Sequence, residues 1–354
     1  MLFLQLTLIA LLATRLTASA GHRLGLTDRP DARKTHGDAV PLTGGIAIFL
    51  ALALGTLLPA VEPYTWPMMA IACLVFVLGV VDDVRHINPW RRLLIQFGAG
   101  ILLATWGGIA IHRVGNLLAL GDIPLLLLTV PLTALAVAGL SNAYNMTDGI
   151  DGLAGSTITL PLLVLYVLAL QAGHPRADFL LALLVPLAVF LLFNLGPDNR
   201  LLPKIFLGDG GSITLGFLVT ASLVYFSQAH NALILPVTAL WLVTVPLMDM
   251  LATMLRRAKH GHKLMLADRS HLHHTLMDMG CSARQTLGLL LGWAGACALL
   301  GLALEHVPEY LSLACYCLVF LGHCLFVIKA GAIERRLGHH LRRSGAAAEY
   351  CEPN

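Results

Sequence analysis

Apolar residues run through this chain in long blocks separated by short polar stretches. Eleven blocks approach the roughly 20 apolar residues that a helix needs to cross a bilayer, near 2–20, 44–61, 67–81, 93–112, 123–141, 157–172, 178–194, 212–228, 234–255, 286–304 and 310–330. Several are short or carry Gly and Pro, which membrane helices tolerate where neighbouring helices satisfy the freed backbone groups. The pattern predicts an all-α, polytopic integral membrane protein of about eleven transmembrane helices. Because that number is odd, the termini are expected on opposite sides. Residues 1–331 read as one transmembrane domain and 332–354 as a polar cytoplasmic tail. The first block also resembles a signal peptide, since Ala18-Ser19-Ala20 has the small residues of a cleavage site. No Lys or Arg precedes its apolar stretch, however, so a retained membrane helix is expected.

Composition agrees with the pattern. Of 354 residues, 57% are hydrophobic and 12% charged, where a soluble domain carries about a quarter charged residues. That much apolar surface requires lipid as the solvent. A secreted disulfide scaffold, a disordered chain and a nucleic-acid binder working through a basic surface are excluded. Five of the seven cysteines (Cys73, Cys297, Cys315, Cys317, Cys324) lie inside apolar blocks without CxxC spacing and read as small buried hydrophobes.

The net charge of +3 conceals a strong asymmetry. When loops are assigned alternately to the two sides, 20 of the 23 Lys and Arg residues fall on one of them. By the positive-inside rule that side is cytoplasmic, with the N-terminus outside and the C-terminus inside. Eleven aspartates fall on the same side: Asp28, Asp31, Asp38, Asp82, Asp83, Asp148, Asp151, Asp198, Asp209, Asp268 and Asp278. Orientation alone does not call for so many carboxylates, so chemistry is expected on the cytoplasmic face.

Five segments carry candidate chemistry. The stretch from Asp28 to His36 (DRPDARKTH), with Lys34, leads to Pro41-Leu42-Thr43-Gly44-Gly45. It reads either as a polar loop or as a basic cluster that grips phosphate with the help of backbone N–H groups. Asp82 and Asp83 end the third block, and Arg91 and Arg92 open the fourth. Adjacent carboxylates at an apolar edge repel one another and need a cation, either Arg85, Arg91 or a divalent metal, or one of them acts as a base. In NAYNMTDGIDGL, Asn142, Asn145, Asp148 and Asp151 recur every three residues, which aligns them along one side of a helix or 3₁₀ turn. This loop has no Lys or Arg, and Gly149 and Gly152 predict that the helix opens there. Four oxygen-bearing side chains without a local cation suit Mg²⁺ and a hydrogen-bonding ligand. The FLGDGGS stretch opens the eighth block, where a Gly-rich helix N-terminus suits an anion, with Asp209 as a metal ligand or an N-cap. In DRSHLHH, the histidines with Arg269 suit a diphosphate, a zinc ion or a solvated loop. Asp249, inside the ninth block, is either functional or paired with Arg256 or Arg257. A transporter would put such groups near the bilayer midplane and show an inverted repeat, whereas these candidates cluster at helix ends.

Taken in order, DRPDARKTH…PLTGG, VVDD, NAYNMTDGIDGL, FLGDGGS, VTALW…VPLMDM and DRSHLHH resemble the polyprenyl-phosphate N-acetylhexosamine-1-phosphate transferases over about residues 24–290. Within that superfamily the pattern is most similar to the WecA-type UDP-GlcNAc:undecaprenyl-phosphate GlcNAc-1-phosphate transferases. The chain departs from that branch at Lys263–Ala267, where a Ser-Pro-Phe-type stretch is usual. It also lacks the PxHHHxE pattern of the branch that transfers Mur-pentapeptide, which leaves another N-acetylhexosamine as the alternative sugar.

The resemblance implies attack of a lipid phosphate on the β-phosphorus of a UDP-sugar, with release of UMP. It implies Mg²⁺, with Mn²⁺ as a substitute, because two anions must meet. Asp209 and Asn145 are then the metal ligands, and Asp82, Asp83 and Asp148 the catalytic carboxylates. Arg92 would hold the lipid phosphate and Asp151 the uracil end. Arg269, His271, His273 and His274, with Lys34 and His36, would bind the rest of the substrate. The partners implied are UDP-GlcNAc, undecaprenyl phosphate, the lipid bilayer and a second copy in a homodimer. No nucleic acid is expected. The site implied is the cytoplasmic face of a bacterial inner membrane, at the first membrane step of O-antigen or enterobacterial common antigen type polysaccharide synthesis.

Overall fold

The structure, a computed structural model, describes residues 1–28, 39–228, 231–259, 261 and 271–343. It is mostly helical. In chain order the elements are α1 (Leu2–Leu24), β1 (Thr27–Asp28), β2 (Val40–Pro41), α2 (Gly44–Gly55), α3 (Trp66–Arg85), α4 (Pro89–Thr105) and α5 (Thr129–Thr147). There follow α6 (Leu153–Gln171), α7 (Ala177–Leu195), α8 (Gly208–Gln228), α9 (Pro236–Leu242), α10 (Thr244–Lys259), α11 (Leu272–Asp278), α12 (Ala283–Ala303) and α13 (Glu309–Arg343). The two strands pair antiparallel, Thr27 opposite Pro41.

Local signals set several of these boundaries. At α3, Thr65 accepts a hydrogen bond from Met68 N–H just ahead of Pro67; at α4, Asn88 accepts one from Trp90 N–H beside Pro89. Ser282 and Gln285 form a reciprocal capping box at the start of α12. α5 stops at Thr147, ahead of Gly149, and Gly152 adopts a left-handed conformation (φ 76°) before α6 begins.

α1, α3, α5 with the short turn before it, α6, α7, α8, α12 with the short turn after it, and α13 over Glu309–Lys329 are each long and apolar enough to cross a membrane, eight among the described residues. α9 and α10 pass the same test together but are bent by 80°. α2 has only 12 residues and α4 only 17, so the apolar blocks at 44–61 and 93–112 are not carried by helices of full span. α13 continues through the tail boundary expected at 331/332.

The centre of the molecule is α8, buried along nearly its whole length and surrounded by α2, α3, α5 and α6. Glycines allow this approach. A Cβ at Gly79 would lie 2.6 Å from the Gly210 Cα, and one at Gly45 would run into the Gly211 backbone. α1 turns Ala10, Ala13, Thr14, Ala18 and Gly21 inward against α2 and α7, and leaves Leu4, Leu8, Leu12 and Leu16 outside. Leu6 is buried on the inner face as well, and apart from it this small-in, large-out division suits a helix packed on one face and lipid-facing on the other. The cysteines divide differently from expectation: Cys297 and Cys324 are buried, but Cys73 and Cys317 point outward from their helices.

Candidate active site

Four of the five predicted segments meet at one end of the bundle. The hairpin between α3 and α4 folds Asp82 back so that it accepts hydrogen bonds from Ile87 N–H and from the Arg92 guanidinium, both at 2.7 Å. Asp82 is buried, and Arg92, rather than Arg85 or Arg91, supplies its cation. Asp83 points to α8, where it accepts the N–H groups of Asp209 and Gly210 at 2.7 and 2.9 Å. The N-terminus expected to bind a substrate anion therefore already holds a carboxylate of the protein. Asp209 itself is inside the first turn, not the N-cap.

Arg92 links these groups. Besides Asp82 it lies 3.8 Å from the Asp209 carboxylate and 3.5 Å from the Asn142 side-chain oxygen. On α5, Asn142 donates to Gln96 at 2.5 Å, and Asn145 donates to Asp209 at 2.5 Å and to Ser212 at 3.1 Å. The three-residue repeat is thus helical for Asn142 and Asn145 only. Asp148 caps the helix and Asp151 lies in the turn beyond it. Asp151 finds a partner from another loop, Lys204, at 2.5 Å.

Asp148 stands at the mouth of the cluster with much of its surface open to solvent. Crowding by protein atoms, then the negative charges of Asp209, Asp83 and Asp151, push its carboxyl up to about 7. With solvent on one side, repulsion among carboxylates is the part of that rise that a bound cation would reverse.

The histidines come in from the far side. His271 is buried against Asp249, and the His273 ring lies against Gly149, where an added Cβ would strike it. The His274 ring lies 4.2 Å from that of His273, tilted by 44°. The Asp249 carboxylate is taken up by His271 and by the Leu272 N–H. Lys34, His36 and Arg269 lie outside the described residues. The glycine pair of PLTGG is a correction: Gly44 and Gly45 donate their N–H groups to the Phe206 and Leu207 carbonyls, so these donors join two segments and are not available for phosphate.

Gln96, Ser212, Lys204 and Asn194 also belong to the site, although sequence reasoning did not single them out. Asn194 accepts Gly152 N–H at 2.6 Å and donates to the Ile205 carbonyl at 2.9 Å, tying the NAYNMTDGIDGL loop to the approach to α8. Gln96 and Asn194 had a usable signal, since each is a polar residue within an apolar block.

Among the described residues no three His, Cys, Asp or Glu side chains converge as a closed metal cage. Mg²⁺ does not require one, since it is usually held by one or two carboxylates together with substrate phosphates. Asp209 beside Asn145, with Asp148 facing the same space, is a donor set of that kind. An apolar cavity of about 410 Å³ runs between α5, α8, α9 and α10, along the half of α8 that ends at Gln228, lined by residues including Leu135, Gly139, Leu223, Val237, Leu240 and Met250.

A family model described as glycosyl transferase family 4 matches residues 65–227. The chain is 32% identical over 332 residues to the undecaprenyl-phosphate alpha-N-acetylglucosaminyl 1-phosphate transferase of Yersinia pestis, covering 92% of this chain and 91% of that protein. It is 32% identical over 330 residues to the protein of that name from Escherichia coli (strain K12), covering 91% and 90%. The similarity to the Salmonella typhi protein is 31% over 354 residues, covering 97% and 94%.

Proposed function

The chain belongs to glycosyl transferase family 4, and from that membership we propose that it transfers N-acetylglucosamine 1-phosphate from UDP-GlcNAc to undecaprenyl phosphate. An oxygen of the lipid phosphate bonds to the β-phosphorus, the bond from that phosphorus to the bridging oxygen breaks, and UMP leaves with it. The product is undecaprenyl-diphosphate-GlcNAc. The observation that carries this reading is Asp209 held between Asn145 and Arg92, a hard-oxygen pair and a guanidinium side by side.

Asp209 and Asn145 would hold Mg²⁺, Asn145 through its side-chain oxygen in place of the present hydrogen bond. When bound, that ion supplies charge neutralisation for the diphosphate and the departing UMP. Arg92 binds the incoming lipid phosphate, and Asp82 fixes the guanidinium for it. Asp83 holds the first turn of α8 so that Asp209 faces the cleft. Asp148, at the mouth, meets the lipid phosphate and accepts its proton. Asp151, with Lys204, receives the nucleotide, and Lys34, His36, Arg269, His271, His273 and His274 hold the diphosphate and sugar. The cavity between α5, α8, α9 and α10 suits the prenyl chain, being apolar and continuous with the bundle surface.

We further propose eleven spans, counting α2, α4 and the bent α9–α10 pair, in the inner membrane of a bacterium. Lys and Arg bias supports an outer N-terminus, an inner C-terminus and a cytoplasmic site. Residues 1–331 act as one transferase domain with 332–354 as its tail, a homodimer is the assembly we favour, and the product begins an O-antigen or common-antigen type chain. A purified-protein assay over a panel of UDP-N-acetylhexosamines, with and without undecaprenyl phosphate, tests the reaction. UDP-GlcNAc should give the highest UMP release; release from another UDP-sugar alone would reassign the substrate. A C-terminal green fluorescent protein fusion should fluoresce in cells, and a dark fusion with an active alkaline phosphatase counterpart would invert the topology.

A further inference from the structure

Asp249 lies outside the carboxylate cluster, on α10 just beyond the bend with α9, and is buried. A carboxylate in such a place must have its oxygens satisfied. Its two oxygens divide the work. Oδ2 lies 3.0 Å from Nδ1 of His271, and Oδ1 accepts the Leu272 N–H at 2.8 Å. One side chain thus fixes both the imidazole and the first turn of α11. With Nδ1 engaged, only Nε2 of His271 remains to meet a ligand. The His271 ring lies parallel to that of His273, with 5° between planes and 6.0 Å between centroids. His273 rests on Gly149, in the loop that follows Asn145 and Asp148. Asp249, His271 and His273 therefore form a row that ends at the catalytic loop.

We propose that Asp249 is a positioning residue for the transfer: it holds His271 with Nδ1–H toward the carboxylate and so commits Nε2 to the diphosphate of the sugar nucleotide. The inference rests on the reaction proposed above. When the ring carries both protons, the carboxylate takes Nδ1–H and Nε2–H makes a charge-assisted hydrogen bond to a phosphate oxygen. An amide at 249 cannot replace it. Asn keeps an oxygen for Leu272 N–H but turns an NH₂ to Nδ1, which must then accept, so the ring is held neutral and its Nε2–H loses the charge that strengthens the bond to phosphate.

The test compares the full chain with Asp249→Asn, His271→Gln and the double variant, measuring UMP release while UDP-GlcNAc and undecaprenyl phosphate are varied separately. Asp249→Asn should lower kcat/KM for UDP-GlcNAc about 10–100-fold, the usual size of an effect from a carboxylate that orients a working histidine. The KM for undecaprenyl phosphate should stay within about twofold, and on the His271→Gln background the same change should cost less than about twofold more. An equal cost on both backgrounds, or a parallel rise in both KM values, overturns the inference. Should Asp249→Asn fail to insert, His271→Gln decides, because it leaves the bond from Leu272 N–H to Asp249 intact: unchanged kcat/KM for UDP-GlcNAc overturns the role. A wild-type chain that releases no UMP would bring down the reaction and this inference together. An active wild type with additive variants removes the inference alone.

Discussion

Asp83 on α3 accepts the backbone N–H groups of Asp209 and Gly210, so the first turn of α8 is closed by a carboxylate from another helix. Its neighbour Asp82 turns the opposite way, to Arg92. The repulsion expected of adjacent aspartates is relieved by separate partners. In Asp83→Asn one oxygen replaces two, leaving an N–H of α8 facing an amide NH₂. A loss of about 1–3 kcal/mol in stability is expected, together with a fall in activity as Asp209 shifts. Thermal unfolding in detergent beside UMP release measures both, and an inactive variant of wild-type stability would instead assign Asp83 a direct chemical role.

Arg92→Ala leaves Asp82 buried without its cation and removes the guanidinium from the mouth of α8. The KM for undecaprenyl phosphate should rise about tenfold or more, and that for UDP-GlcNAc much less. Steady-state kinetics with each substrate varied in turn separates the two. Equal rises would move Arg92 to the nucleotide side.

The pair of Lys204 with Asp151 is partly exposed, the carboxylate side chain at 41%. Pairs of that kind contribute under about 1 kcal/mol, so Lys204→Ala should leave the melting temperature nearly unchanged. If the pair receives the nucleotide, the same variant raises the KM for UDP-GlcNAc and spares that for the lipid. A large drop in melting temperature would show the pair to be structural.

Asp148 gives a pH dependence with a definite sign. Its carboxyl is pushed up to about 7 from an ordinary 3.8. Between those values the folded chain holds a proton that the unfolded chain has lost, so this group's contribution to stability falls as pH rises from about 4 to about 7 and stays low above that. Asp148→Asn removes the penalty. Solvent on its open side limits the effect, and a rise of roughly 1–3 °C in melting temperature at pH 8 with EDTA is expected, vanishing near pH 4. Added Mg²⁺ should narrow the difference at pH 8. A variant less stable than wild type at pH 8 in EDTA would show that Asp148 is favourably held as a carboxylate.

The helical framework was legible because each apolar block is long and local in sequence, and the acidic motifs because their spacing is local too. Partners were not legible. Lys204 and Asp151 are 53 residues apart, and Asn194 and Gly152 are 42 apart, so no window along the chain brings them together. Glycine was the ambiguous letter. Gly149 and Gly152 open a helix as expected, whereas Gly44 and Gly45, read as a phosphate grip, are small so that α2 can reach the start of α8. Helix length was overestimated where an apolar block continues past its helix, as at α2, which ends at Gly55 although the block runs to about 61.

The most direct measurement is UMP release from UDP-GlcNAc by the wild type and by Asp209→Asn, across a Mg²⁺ titration with and without undecaprenyl phosphate. Wild type should require both the metal and the lipid. Asp209→Asn should lose at least about a hundredfold in kcat at every Mg²⁺ concentration while inserting and melting like wild type. Wild-type turnover in Asp209→Asn, or UMP release by the wild type in excess EDTA or without the lipid phosphate, would contradict a metal-assisted transfer centred on Asp209.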